Sequence, residues 1–276
     1  MRKFTLLCAA MLSGGSMVAH ADLVTYSTSE VVTLRDCISG TTACDDVVTP
    51  AAKTVFGGSP GAGKSSATAS LPTYGTADGS VSLSGTIGAP ILKASAESEP
   101  GKRNSTNAYA LQSYTYEGTE AAERTFSGML SYSQTLAGDS AIPSGVVARI
   151  DLFRLTVSEV DVGTTPGENF LAVSRPYEFP GYESIDSDYF NDLVSNLSGS
   201  ATLEATATIN PGDTIWVWVS LQTPAANGSV IDAKNTFVTN WDNPTDLTPA
   251  GIVPEPATIA LLGLGLAGLG LSRRKQ

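Results

Sequence analysis

The stretch "ATLEATATINPGDTIWVWVSL", residues 201–221, decides the fold of this chain. Its first nine residues alternate apolar and polar side chains, as a half-buried β-strand does. The sequence "NPGD" at 210–213 then places proline and glycine at the central positions of a type II turn. A second alternating segment follows, with Ile215, Val217, Val219 and Leu221 on one face. The stretch therefore predicts a β-hairpin.

The same pattern of short strands separated by turn residues recurs along the chain. Further predicted strands are 23–34, 79–87, 107–117, 124–136, 146–160, 169–174 and 235–241. The polar stretch 93–106 is predicted to be a mobile loop. Strands at this spacing are typical of all-β domains. We therefore predict one antiparallel β-sandwich of the jelly-roll kind over residues 22–250.

One short helix is predicted in "SIDSDYFNDLVSNL", residues 184–197. Tyr189 and Leu193 are four residues apart, and Asp186 and Asp188 stand where carboxylates favour the positive end of a helix dipole. A calcium loop is the alternative interpretation of the two aspartates. The stretch lacks the glycine and terminal glutamate of the EF-hand pattern, so we predict a helix and no metal site.

The first 21 residues, "MRKFTLLCAAMLSGGSMVAHA", have the features of a secretory signal peptide. A basic start is followed by an apolar run too short to span a bilayer. Ala19 and Ala21 then form the small-x-small site that signal peptidase requires. We predict a cleaved signal peptide over 1–21 and export through the inner membrane.

The last residues, "VPEPATIALLGLGLAGLGLSRRKQ" at 253–276, consist of three parts. The first is Pro254, Glu255 and Pro256, the second is an apolar run over 257–271, and the third is Arg273, Arg274 and Lys275. Fifteen helical residues reach about 22 Å, less than a hydrocarbon core of about 30 Å. The basic end would stay on the cytoplasmic side. We predict a short transmembrane sorting helix within residues 251–276.

These three parts resemble the PEP-CTERM sorting signal of Gram-negative bacteria. The resemblance implies that exosortase, a membrane-embedded enzyme, recognises and removes the tail. Before that step the C-terminal helix would anchor the chain in the inner membrane. It also implies a final location at the cell surface or in the extracellular matrix, and an association with exopolysaccharide and biofilm.

The composition of the body excludes several classes of function. Without both ends, eleven of sixteen basic and 26 of 27 acidic residues remain, a net charge of −15. Such a surface repels phosphates, which argues against nucleic acid as a partner. The only histidine, His20, belongs to the signal peptide. Histidine-dependent hydrolysis and histidine-ligated metals are thereby excluded. We expect no cofactor and no enzymatic activity.

Cys37 and Cys44 remain in the body as an even pair, in "DCISGTTACDD". In an oxidising compartment, such a pair most simply forms a structural disulfide. A redox-active pair is the alternative, but the C-x-x-C spacing is absent.

The octapeptide "GSPGAGKS", Gly58–Ser65, matches the phosphate-binding loop of nucleotide hydrolases. A working loop of this kind needs a helix that begins at its Lys-Ser pair. Pro72, Gly75 and Gly79 oppose a helix there, and an exported protein meets little ATP. We predict a flexible surface loop that binds no nucleotide.

Trp216 and Trp218 fall on one face of their strand, about 7 Å apart. Exposed, such a pair would stack on sugar rings. We favour burial of both indoles in or beside the core. The sequence therefore predicts an exported protein with a non-catalytic structural or adhesive role. The alternative is a carbohydrate-binding module or a glycoside hydrolase that uses carboxylates alone.

Overall fold

The computed structural model describes residues 23–33, 53–60, 64–71, 73–85, 87–137, 143–156, 173–193 and 198–249. The strands within them are β1 Leu23–Thr33, β2 Lys53–Pro60, β3 Lys64–Leu71, β4 Gly75–Ser84, β5 Ala89–Ser98, β6 Lys102–Tyr116, β7 Ala122–Thr135, β8 Val146–Leu155, β9 Tyr182–Asp192, β10 Ser198–Ile209, β11 Thr214–Ala226, β12 Val230–Trp241 and β13 Leu247–Pro249. A 3₁₀ turn, Pro176–Glu178, precedes β9. The prediction of an all-β fold is confirmed.

The described strands form two antiparallel sheets. Sheet A has the order β2-β1-β6-β11-β8-β9, and β13 also pairs with β6. Sheet B has the order β10-β7-β12-β5-β4-β3. Consecutive strands often lie in different sheets, as β5 and β6 do, so the chain crosses repeatedly between them.

One hydrophobic cluster contains buried side chains from both sheets. Sheet A contributes alternate residues of β6, β8 and β11, and sheet B contributes alternate residues of β5, β7, β10 and β12. Gly128 of β7 shows how closely they pack. A Cβ atom there would collide with the ring of Phe237 and lie 3.1 Å from Cδ1 of Ile150, a sheet A residue. The apolar faces of the two sheets therefore meet in a shared core.

The stretch 201–221 forms the predicted strands and turn, but the predicted hairpin is wrong. The N–H of Asp213 donates to the carbonyl oxygen of Asn210 over 3.0 Å, and Gly212 has a φ of 82°, as a type II turn requires. However, β10 pairs with β7, whereas β11 lies between β6 and β8. The turn therefore joins sheet B to sheet A.

The helix predicted over 184–197 is wrong at residues 184–192, which belong to the edge strand β9, and residues 194–197 lie outside the described part of the chain. The backbone of β9 pairs with β8 instead of bonding to itself. Asp186 accepts a hydrogen bond from the N–H of Thr206 over 2.8 Å, and Asp188 accepts one from Glu204 over 2.9 Å. The two aspartates thus cap the free edge of β10. Tertiary pairing has overridden the helical spacing.

Two further predictions need correction. The stretch 93–106 is not a loop: it contains most of β5, a turn at Glu99–Gly101 and the start of β6. Ala94 and Ala96 are buried in the core, although alanine gives a weak apolar pattern. The strand predicted over 169–174 is wrong at Val173 and Ser174, which are helical, and its other residues lie outside the described part.

Candidate functional site

The described body ends in strand β13, which leads to the predicted sorting tail. Leu247, Thr248 and Pro249 pair with Tyr116, Thr115 and Tyr114 of β6. The side chain of Leu247 is 6% exposed and belongs to the shared core. The N–H of Glu117 also donates to the carbonyl oxygen of Asp246 over 2.7 Å. These contacts fix the chain up to Pro249, four positions before Val253.

The turn between β10 and β11 lies beside this end of β6. The N–H of Tyr116 donates to the carbonyl oxygen of Asp213, and the N–H of Gly212 donates to that of Tyr116. Hydrogen bonds from Asn210 hold the pKa of Asp213 below its usual range, and the guanidinium of Arg154, 3.1 Å away, acts in the same direction. Burial partly opposes this effect. The end of the body that precedes the tail is therefore firmly hydrogen-bonded.

Trp216 and Trp218 lie on the face of sheet A that points away from the shared core. They belong to a second hydrophobic cluster, here called the outer aromatic cluster, whose buried members are Tyr109, Leu111, Phe153, Val173, Phe179, Trp216 and Trp218. The two indoles are only 4% and 5% exposed. The prediction that they share one face is confirmed, and neither ring surface is open to a sugar in this conformation.

Trp218 has a polar contact as well as aromatic ones. Its Nε1–H donates to the carbonyl oxygen of Val173 over 2.6 Å. Its ring stacks on Tyr109, with centroids 5.9 Å apart and an interplanar angle of 20°. Trp216 stacks in the same way on Phe153, at 6.2 Å and 21°. The carbonyl oxygen of Val173 therefore satisfies the N–H of Trp218, which burial would otherwise leave unpaired.

An ion pair lies beside the outer aromatic cluster. Nε of Arg149 is 2.8 Å from Oδ1 of Asp151, whose side chain is 2% exposed, while that of Arg149 is 40% exposed. The Arg149 guanidinium also lies 5.9 Å from the ring centroid of Trp218. Burial raises the pKa of Asp151, although Arg149 partly offsets the rise. Burial and the nearby Asp151 charge also raise the pKa of Tyr182.

The sequence reasoning missed this ion pair. "RIDLF" reads as part of an apolar strand, and no motif marks its aspartate. Strand alternation alone would have placed Arg149 and Asp151 on one face, opposite Ile150. Only the register of β8 against β11, which sets Asp151 opposite Trp218, brings the charges to the aromatic cluster.

The stretch Gly58–Ser65 does not have the structure of a phosphate-binding loop. Residues 58–60 end β2, and Lys64 and Ser65 begin strand β3, where a phosphate-binding loop would begin a helix. Residues 61–63 lie outside the described part. The prediction of a flexible loop is therefore wrong at both ends of the stretch, since each end belongs to a strand.

The other predicted site residues lie outside the described part of the chain. They are Ala19, Ala21, Cys37, Cys44, Pro254, Glu255, Pro256, Arg273, Arg274 and Lys275. Within the described part, no group of three or more acidic, cysteine or histidine side chains is placed to hold a metal ion. The described residues also include no helix of the length and hydropathy needed to cross a bilayer.

Comparison with known proteins identifies the tail. No curated protein matches the chain. The family model of the PEP-CTERM protein-sorting motif matches residues 253–275, which include all six predicted motif residues. The motif implies an exported protein that is transiently anchored in the membrane and processed by exosortase. The predicted resemblance is confirmed: this chain carries a PEP-CTERM protein-sorting motif.

Proposed function

We propose that this protein is delivered to the cell surface or extracellular matrix, where its body has a non-catalytic structural or adhesive role. Signal peptidase would cut after Ala21, and exosortase would remove the C-terminal tail. The observation that carries the proposal is the match of residues 253–275 to the sorting motif. Exopolysaccharide is the partner that the resemblance suggests, within a biofilm.

The architecture of the body supports a structural role. We propose that the two sheets pack face to face as a β-sandwich, because their apolar faces share a core around Gly128, Ile150 and Phe237. The surface is strongly acidic, with a net charge of −15 outside the two ends. A compact, highly charged β body resists association with itself and suits an exported matrix component.

The burial of both indoles supports a role that does not depend on stacking of sugar rings. A carbohydrate-binding module of that type would expose Trp216 and Trp218, whereas both are buried members of the outer aromatic cluster. Contact with exopolysaccharide would then use other, polar surface. The exposed side chains of β3, at Ser66, Thr68 and Ser70, are of this kind.

The proposal is tested by removing the sorting motif in a host that carries exosortase. We expect the full chain to be shortened at its C-terminus and delivered to the surface. A variant that lacks residues 254–276 should be neither retained in the membrane nor processed by exosortase. Tyr177→Ala, at an exposed position of the body, is the control and should behave like the full chain. Unchanged surface delivery of the shortened variant would contradict the proposal.

A further inference from the structure

The two ends of the body meet on one edge of strand β6. β11 pairs with one edge of β6 from Thr115 to Arg103. β1 and β13 therefore share the other edge. On it, Leu23 at the start of β1 is opposite Gln112, and Pro249 at the end of β13 is opposite Tyr114. The two partners are two residues apart, so Leu23 and Pro249 lie about 7 Å from one another.

Both predicted membrane signals are attached at this point. The signal peptide ends at Ala21, two positions before Leu23, and the sorting motif begins at Val253, four positions after Pro249. We use the term exit patch for the edge of β6 from Gln112 to Tyr114, against which Leu23 and Pro249 pair. A chain that enters and leaves the body at one patch is tied to the bilayer there during both processing steps.

The length of chain between the exit patch and the bilayer is limited. Four residues from Pro249 to Val253 span at most about 14 Å, and eight residues to the apolar run at Ala257 span at most about 28 Å. From the exit patch, β6 extends through eleven residues to Lys102, about 35 Å along the body. The two ends of β6 are therefore held at different mean distances from the membrane.

We propose that the exit patch is the surface of the anchored precursor that faces the lipid headgroups, while the turn at Glu99–Gly101 points away from the bilayer. This inference rests on the membrane anchoring in the proposed function. The exposed side chains of Glu117, Glu120, Asp242 and Asp246 follow β6 or precede β13. They repel anionic headgroups, so the covalent tether, and not attraction, holds this surface near the lipid.

The test measures the distance of two matched positions from the membrane. Glu117 lies just beyond the exit patch and Glu99 at the far end of β6, and both are exposed glutamates. Each is replaced in turn by an azide-bearing amino acid that carries a donor dye. Energy transfer to acceptor-labelled headgroup lipids is measured on the full precursor in membranes without exosortase. We expect clearly higher transfer from position 117 than from position 99.

A third variant isolates the effect of the tether. Twenty Gly/Ser residues inserted after Pro249 add about 25 Å of flexible reach. We expect this insertion to remove the difference between the two positions. Equal transfer in the native precursor, or a difference that survives the insertion, would overturn the inference while leaving membrane anchoring intact.

Two other outcomes are distinguishable. Precursor recovered in the soluble fraction, with no transfer from either position, would overturn the anchoring and the inference together. Preferential transfer from position 117 that appears only when exosortase is added would show that the enzyme orients the body. That result would overturn the assignment of this surface to the lipid.

Discussion

Trp218 is the residue through which the outer aromatic cluster is held together. It stacks on Tyr109, lies beneath Arg149 and donates its N–H to Val173. The sequence suggests that two indoles on one strand face could form a platform for sugar rings. In the structure both indoles are buried, and Trp218 donates its hydrogen bond to another segment of the same chain. Its role in the described conformation is therefore structural.

Two substitutions of Trp218 should lower the free energy of unfolding by different amounts. Trp218→Phe keeps an aromatic ring but leaves the carbonyl oxygen of Val173 without its donor, which should cost about 1 kcal/mol of unfolding free energy. Trp218→Ala also removes the packing and should cost about 3–5 kcal/mol. Chemical denaturation of both variants measures this. The exposed-site control Tyr177→Ala should change stability by less than about 0.5 kcal/mol. Equal stability of Trp218→Ala and the parent protein would contradict a structural role.

Asp151 should make the protein less stable as the pH rises. Burial raises its folded-state pKa above the unfolded value of 3.8. A group of this kind contributes stability below the unfolded pKa, and that contribution is lost as pH rises through the folded pKa. The melting temperature of Asp151→Asn minus that of the parent should therefore increase from pH 3 upward, and then level off.

Both proteins contain the other carboxylates. Subtracting the two melting temperatures therefore removes the effect of pH that the two proteins share. Glu120→Gln, which removes a carboxylate at an exposed position, serves as the matched control. A difference for Asp151→Asn that is flat, or that falls as the pH rises, would show that the ion pair with Arg149 outweighs burial.

At the scale of the element, the edge strands β9 and β10 close one side of the body. Asp186 and Asp188 of β9 accept hydrogen bonds from backbone N–H groups of β10, and Tyr132 of β7 donates to Asp192 over 2.9 Å. Carboxylates that point inward from one edge strand thus occupy donors of the other. These bonds oppose pairing of the β10 edge with a second molecule at Glu204 and Thr206.

Removal of these carboxylates should open the edge of β10. Asp186→Ala leaves the N–H of Thr206 without its acceptor and should lower the unfolding free energy by about 1–3 kcal/mol. Amide hydrogen exchange at Thr206 should become faster. Asp188→Ala should have the same effect at Glu204, whereas Ser187→Ala between them serves as the control. Unchanged exchange at both amides would contradict the proposed edge closure.

The sequence predicts local strand character better than it predicts pairing. In residues 201–221, strict alternation and the Pro-Gly turn identify both strands and the turn correctly. The strands that pair with β10 and β11 lie 63 to 123 residues away in sequence, which no local pattern encodes. The helix prediction fails at residues 184–192 for a related reason. Their helical spacing is real, but pairing with β8 and bonds to β10 favour a strand.

Candidate sites formed by contiguous residues can also be predicted from the sequence, whereas sites formed by distant strands cannot. The sorting motif is contiguous, so its residues 253–275 can be recognised from sequence alone. The Arg149–Asp151 pair and the exit patch exist only because β8, β11, β6, β1 and β13 are brought into register. Contacts of this kind between distant strands require the structure.

At the scale of the whole molecule, the β body lies between the predicted signal peptide and the PEP-CTERM sorting motif. The body is acidic, and carboxylates of β9 occupy backbone N–H groups at the edge of β10. Both features oppose association of the body with other molecules, which suits an exported protein. The adjacency of Leu23 and Pro249 would place both proposed processing steps at one part of the body surface. The strong acidity also means that attachment to an anionic membrane depends on the tail.

The most direct test is the intact mass of the protein from a host with exosortase, compared with that from a host without it. We predict that exosortase yields a chain that begins at Asp22 and has lost the apolar run 257–271 and the basic end. Without exosortase, the chain should begin at the same residue and keep its tail in the membrane fraction. Recovery of the same unshortened C-terminus from both hosts would contradict the account.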